Sequence, residues 1–71
     1  MGLMRERGGK RYGFEFKVTK KPRLTHSMTI ARADLDLEKV YLVYPGELSF
    51  PLRDGMATLG YARIPEFKFP S

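Results

Sequence analysis

Hydrophobic and polar residues alternate strictly along residues 12–18, YGFEFKV. Successive side chains of a β-strand point to opposite faces, so this period of two predicts a half-buried strand over residues 11–19. The aromatic residues and Val18 would lie on one face of that strand. The other face would carry Glu15 and Lys17 side by side.

The residues around this strand predict a hairpin before it and a helix after it. Residues 3–7 form a short candidate strand, and the glycine pair at 8–9 suits a tight hairpin turn. Pro22 lies beyond the end of the second strand, because proline cannot donate to a sheet ladder. Thr25 is a typical helix N-cap, and apolar residues then recur at helical spacing, which predicts a helix that ends near residues 34–36.

The strongest strand pattern is KVYLVY at residues 39–44, which is apolar on both faces. Such a run is typical of a central strand with parallel neighbours. Residues 49–52 contain Pro51 and are expected to form an edge strand or a link, and residues 56–61 a last short strand. Together the elements predict a small α+β domain of order β-β-α-β-β, with one helix packed on a mixed sheet.

One helix can cover only one face of that sheet. The opposite face, with Tyr41 and Val43, is therefore expected to be uncovered by this chain and to act as an interface. The core is expected at about residues 3–64, with a tail at 65–71 whose prolines keep it out of the sheet. A chain of 71 residues forms one small domain and buries little surface alone, so a homo-oligomer is expected.

Composition narrows the chemistry that this chain can perform. With no cysteine and one histidine, a disulfide and a zinc site of the thiolate or histidine type are excluded within one chain. The sequence has no apolar run of membrane-spanning length, so we expect a cytoplasmic protein without a membrane partner. Its 13 Lys+Arg against 8 Asp+Glu give a net charge of +5, and the basic first third would attract phosphate backbones. The candidate nucleic-acid-binding residues are Lys10, Arg11, Lys17, Lys20, Lys21 and Arg23.

Glu15 and Lys17 are the candidate catalytic residues, and Glu15 is the candidate metal ligand. A metal-assisted phosphodiesterase needs at least two carboxylates to hold Mg²⁺ and a lysine to orient water or stabilise charge. Glu6, on the preceding strand, could approach across the hairpin or face solvent. A lone carboxylate beside a lysine binds Mg²⁺ poorly, and the simpler interpretation is an exposed ion pair on the sheet, which contributes little stability.

Four segments taken in order carry a family resemblance: KRYGFEFK at residues 10–17, PRLTHSMTI at 22–30, DLDL at 34–37 and VYLVYPGELSFPL at 40–52. They resemble the C-terminal domain of unknown function of prokaryotic AAA-type ATPase-like proteins. That domain is similar to the PD-(D/E)XK restriction-endonuclease-like fold. The resemblance covers roughly residues 3–64, and it implies that the Glu-x-Lys half of the nuclease motif corresponds to Glu15 and Lys17.

The chain departs from this pattern in two ways. No ATPase module is present, because GGK at residues 8–10 lacks the first glycine, the spacing and the hydroxyl residue of a phosphate-binding loop, and ATP binding is not expected. The acidic residue that the nuclease motif needs before the hairpin turn would fall at about Gly2. The resemblance therefore implies a truncated restriction-endonuclease-like core with an incomplete metal site.

These observations favour a non-catalytic interaction or remnant domain that self-associates through its uncovered sheet face. Two alternatives stay open. One is a Mg²⁺-dependent nuclease-like domain that uses Glu15 and Lys17. The other is a basic nucleic-acid-binding module without catalysis. No cofactor is expected except Mg²⁺ in the nuclease alternative.

Overall fold

The computed structural model describes residues 2–70 of the chain. Its elements are β1 (Leu3–Arg7), β2 (Lys10–Phe16), α1 (His26–Asp34), β3 (Lys39–Tyr44), β4 (Pro51–Arg53), β5 (Met56–Gly60) and a 3-10 helix (Tyr61–Glu66). The predicted α+β class, with one α-helix on a mixed sheet, is confirmed. None of the helices within residues 2–70 combines the length and apolar character that a membrane span requires.

The five strands form one sheet in the order β1-β2-β3-β5-β4. The three inner strands, β2, β3 and β5, are parallel, and each edge strand is antiparallel to its neighbour. Residues 40–44 of β3 are buried, as expected for a central strand with parallel neighbours on both sides. Pro51 opens the short edge strand β4, where its missing N–H is tolerated.

The turn between β1 and β2 is a tight hairpin closed by the pairing of Arg7 with Lys10. Gly8 and Gly9 have φ angles of 61° and 80°. Both values lie in the left-handed region, which a two-residue hairpin turn of the favoured twist requires and which glycine adopts without steric cost. The predicted hairpin is therefore confirmed.

Helix α1 begins at the predicted N-cap. The Thr25 backbone is extended, and its Oγ1 accepts a hydrogen bond of 3.2 Å from the Met28 amide. Met28 is fully buried and packs with Leu37, Val40, Leu42 and Met56 between the helix and the sheet. The helix ends at Asp34, and the chain leaves it through Asp36, which has a φ of 53°.

The prediction that nothing in this chain covers the other sheet face is wrong. Tyr41 and Val43 are 6% and 2% exposed, in a cluster with Tyr12, Phe14, Ala57 and Leu59. Two partly buried side chains from the end of the chain, Phe67 and Phe69, pack on that cluster. We call residues 67–70 the C-terminal strap. The core therefore extends beyond the expected boundary at residue 64, because the rings of Phe67 and Phe69 pack on it.

The strap covers the face with aromatic rings rather than with a hydrogen-bonded strand. The Phe67 ring meets the Tyr41 ring edge-on at a centroid distance of 4.9 Å and the Phe14 ring at 5.8 Å. The Phe69 ring lies 5.0 Å from that of Tyr12. The prolines exclude residues 65–70 from the ladder, as expected, but side-chain packing needs no ladder.

Candidate functional site

Glu15 is the most buried charged residue in the described chain, at 7% exposure. It lies on β2 and points to the helix side of the sheet. Its Oε2 accepts a hydrogen bond from the Thr25 hydroxyl, and its Oε1 accepts one from the Ser27 hydroxyl, both at 3.3 Å. Because Thr25 also caps α1, the Glu15 carboxylate ties strand β2 to the start of the helix.

Lys17 lies immediately beyond the end of β2. Its backbone amide donates a 2.9 Å hydrogen bond to the Val43 carbonyl, and its side chain is exposed. Glu15 and Lys17 do not form an ion pair in the described part of the chain. The structure therefore does not bring the two candidate catalytic side chains together in the pairing that their spacing indicated.

Glu6 cannot complete a metal site with Glu15. In the hairpin register Glu6 pairs with Arg11, four residues before Glu15 on the same strand. At about 3.3 Å per residue, roughly 13 Å separate the two positions along the sheet. No cluster of three metal-ligating side chains occurs in the part of the chain that the structure describes.

The six candidate nucleic-acid-binding residues divide between two ends of the sheet. Lys17, Lys20, Lys21 and Arg23 line one open cavity of about 690 Å³, together with Thr19, Thr25 and Leu42. We call this the basic cavity. Lys10 and Arg11 instead line a cavity of about 420 Å³ near the hairpin turn, where the carboxylates of Glu6, Asp36 and Glu38 are also found.

The position of the basic cavity follows from the topology. It lies where β2 ends and α1 begins, on the carboxyl side of the parallel strands β2 and β3. In open sheets with parallel strands, ligands bind outside these strand ends, and the positive end of a helix dipole adds to the local potential. Among residues 2–70, no carboxylate lines the cavity.

Three parts of this arrangement were not foreseen. The sequence identified Thr25 as a cap but not as a partner of Glu15, and it gave Ser27 no role. The sequence signal for these two contacts is Thr-x-Ser at the start of a helix. The strand before that helix carries an acidic residue on the face that points to the helix. The third part is the packing of Phe67 and Phe69 on the sheet. Their alternation with Lys68 is typical of an extended segment that buries one face.

Burial on the aromatic face affects one titrating group. The pKa of the Tyr41 hydroxyl is raised above its ordinary value, mainly because burial disfavours the phenolate and additionally because of the neighbouring Tyr12. This group lies on the opposite side of the sheet from Glu15.

Comparison with known proteins found relatives in mycobacteria. The chain is 46% identical over 54 residues to the uncharacterized protein Mb2031c of Mycobacterium bovis and, at the same identity and length, to the uncharacterized protein Rv2008c of Mycobacterium tuberculosis. The match covers 76% of this chain but 12% of each relative, so the chain spans about an eighth of their length. No family model and no solved structure matches it.

Proposed function

We propose that this chain is a non-catalytic module that binds the phosphate backbone of nucleic acid through the basic cavity. The observation that carries the proposal is the composition of the cavity lining, to which the described residues contribute four cationic side chains and no carboxylate. Phosphate contacts of this kind supply most of the non-specific affinity of nucleic-acid-binding proteins.

The local geometry supports an anionic ligand. The cationic loop follows β2 directly and returns to the capped start of α1, so its charges surround one opening. Thr19 and Thr25 add hydroxyl groups to the lining, and hydroxyls commonly bind phosphate oxygens. Lys17 thereby takes a binding role at this cavity instead of a catalytic one.

The surroundings of Glu15 argue against the nuclease alternative. Both carboxylate oxygens already accept hydroxyl hydrogen bonds, and the residue is 7% exposed. A Mg²⁺ ion there would need further oxygen ligands, and the nearest acid on the hairpin, Glu6, lies at the other end of β2. We therefore assign Glu15 a structural role.

We further propose that the module is a truncated restriction-endonuclease-like core of the kind that ends prokaryotic AAA-type ATPase-like proteins. A hairpin followed by a helix and a parallel strand, with Glu-x-Lys at the end of the second hairpin strand, agrees with that resemblance. The match to one eighth of longer proteins agrees with a module taken from a larger architecture.

The binding proposal is tested by fluorescence anisotropy with labelled 20-nucleotide single-stranded and duplex DNA over a range of salt concentrations. We expect the negative slope of log K against log salt to decrease in magnitude by about 2 to 3 in the triple variant Lys20→Ala, Lys21→Ala, Arg23→Ala, since each lost phosphate contact removes about 0.7 to 0.9 from that magnitude. The matched control, Arg5→Ala, Lys10→Ala, Arg53→Ala, removes the same charge away from the cavity. An equal loss of slope in both variants would refute a localised site.

A separate assay tests the non-catalytic assignment. Supercoiled plasmid is incubated with the folded chain and Mg²⁺ or Mn²⁺, and we expect no nicking. Metal-dependent nicking that disappears in Glu15→Gln and Lys17→Ala would establish the nuclease alternative instead.

A further inference from the structure

We propose that the basic cavity takes single-stranded rather than double-stranded nucleic acid, and that a base of the bound strand stacks on the ring of Phe16. This preference rests on the proposed binding of phosphates at the same cavity, and it specifies the form of nucleic acid that binds there. The residues that carry it lie where β2 ends and the cationic loop, residues 17–23, begins.

Phe16 presents an exposed aromatic ring beside the basic cavity. It is the last residue of β2, it is 49% exposed, and Lys17 of the cavity lining follows it directly. Its ring pairs with no other ring among residues 2–70. Proteins that bind single strands combine exposed aromatic rings with cationic side chains in this way, because every base offers a flat face for stacking.

The start of the chain supports the Phe16 ring from one side. The Gly2 amide donates a 3.2 Å hydrogen bond to the Phe14 carbonyl, which holds this part of the chain against β2. A Cβ atom at Gly2 would lie 2.8 Å from the Phe16 ring, so the ring packs directly on the glycine backbone. This contact positions the ring while the rest of the side chain stays accessible to a ligand.

Val18 adds apolar surface next to the ring. It is 99% exposed, and it lies between two residues of the cavity lining, Lys17 and Thr19. In a duplex the flat faces of the bases are stacked inside, and only the backbone and the base edges in the grooves face a protein. A single strand exposes those faces, so it matches an apolar surface that adjoins phosphate-binding side chains.

Hydrogen bonds hold the cationic loop at both ends and near its middle. The Lys17 amide donates to the Val43 carbonyl at 2.9 Å, and the Lys21 amide donates to the Thr19 hydroxyl at 3.2 Å. Beyond the loop, Thr25 caps helix α1. A loop ordered in this way loses less conformational entropy when a ligand binds, which favours its phosphate-binding role.

The shape of the surface also favours a single strand. Phe16 leaves β2 on the face opposite Glu15, so the ring and the basic cavity lie on two sides of the strand end. A flexible single strand can bend around this end and place a base on the ring and phosphates on the loop. A duplex, with a persistence length of about 50 nm, stays straight over so short a distance.

The other cationic residues do not extend this surface. Lys10 and Arg11 lie roughly 23 Å from Lys17 along β2, at about 3.3 Å per residue, and three carboxylates share their cavity. The phosphate-binding surface is therefore confined to the loop at one strand end, which suits a short stretch of one strand.

The variant Phe16→Trp tests the stacking directly. The chain contains no tryptophan, so this substitution introduces a single fluorescent reporter at the end of β2. A 20-nucleotide oligothymidylate should quench its emission, because a stacked base quenches indole fluorescence. The matched control is Phe50→Trp, just before the edge strand β4, and its emission should stay unchanged. Unquenched emission from Phe16→Trp at saturating oligothymidylate would overturn the stacking.

Fluorescence anisotropy with three labelled probes separates base stacking from phosphate binding. The probes are the oligothymidylate, an abasic strand with the same number of phosphates, and a duplex of 20 base pairs. The wild-type chain should bind the oligothymidylate about 5- to 100-fold more tightly than the abasic strand, and also more tightly than the duplex. Phe16→Leu should bring the ratio of the first two affinities close to one, whereas Phe50→Leu should leave it unchanged.

The outcomes distinguish this inference from the proposed function. Salt-dependent binding that is weakened in the triple variant of the loop but equal for the three probes would overturn the single-strand preference and leave phosphate binding intact. Failure of the wild-type chain to bind any probe would refute both. Because the comparison of probes uses the wild-type chain, it decides the matter even if Phe16→Leu does not fold.

Discussion

Replacing Phe67 by alanine removes the central ring of the strap. In the structure this ring meets those of Tyr41, Phe14 and Phe69 edge-on, at centroid distances of 4.9, 5.8 and 5.2 Å. Truncating a fully buried phenylalanine costs about 3 to 5 kcal/mol, and Phe67 is only partly buried. Each favourable aromatic pair adds about 0.5 to 1.5 kcal/mol beyond area burial, although such terms do not add in full. We therefore expect a loss of about 2 to 3 kcal/mol in the free energy of unfolding.

Urea denaturation followed by circular dichroism measures this loss at equilibrium. For a domain of this size, 1 kcal/mol corresponds to about 4 to 8 °C in Tm, so thermal unfolding should shift by roughly 10 to 20 °C. The matched control is Phe16→Ala, because Phe16 is 49% exposed and contacts no other ring in the described chain. If the Phe67 variant were no less stable than the Phe16 variant, the strap would not be part of the core and our account of the covered face would fail.

Three further predictions concern buried polar groups. Glu15→Ala leaves two hydroxyls without their acceptor and should cost about 1 to 3 kcal/mol of unfolding free energy, against little change for the exposed Glu6→Ala. A double-mutant cycle of Glu15→Ala with Thr25→Ala should be non-additive because the two residues share a hydrogen bond, and strict additivity would contradict that contact. The pKa of Tyr41 is raised by burial, so its contribution to stability is present below the ordinary value of 10.0 and is lost as pH rises past that value through the folded-state pKa. Urea midpoints between pH 8 and 11 should therefore fall more for wild type than for Tyr41→Phe, and parallel curves would refute the assignment.

Most of the sheet could be predicted from local patterns. The glycine pair at 8–9 and the alternation in residues 12–18 define the hairpin, and the apolar run at 39–44 defines the central strand. Even so, the alternation predicted burial for Phe16 and Val18, which are 49% and 99% exposed. The sequence pattern continues to Val18, but β2 ends at Phe16, so Phe16 lies at the end of the sheet and Val18 beyond it.

Other features depend on contacts between distant segments, which a one-dimensional pattern does not contain. Glu15 meets Thr25 only because the chain turns back from the end of β2 into α1, and this turn places two hydroxyl groups against the carboxylate. The residues covering Tyr41 come from a segment whose prolines suggested a loose tail. The division of the basic residues between two cavities likewise follows from the topology, because Lys10 begins β2 at the hairpin turn and Lys20 lies in the loop beyond the other end of β2.

The C-terminal strap has a consequence for folding during synthesis. The Tyr12 hydroxyl donates a hydrogen bond to the carbonyl of Pro70, which is synthesised 58 residues later. Until Phe67 and Phe69 emerge from the exit tunnel, the nascent sheet must carry an exposed ring-lined surface, which is a point of aggregation and of chaperone capture. A nascent chain stalled with residues up to 66 outside the exit tunnel should therefore be much more sensitive to protease than one stalled with residues up to 70 outside it.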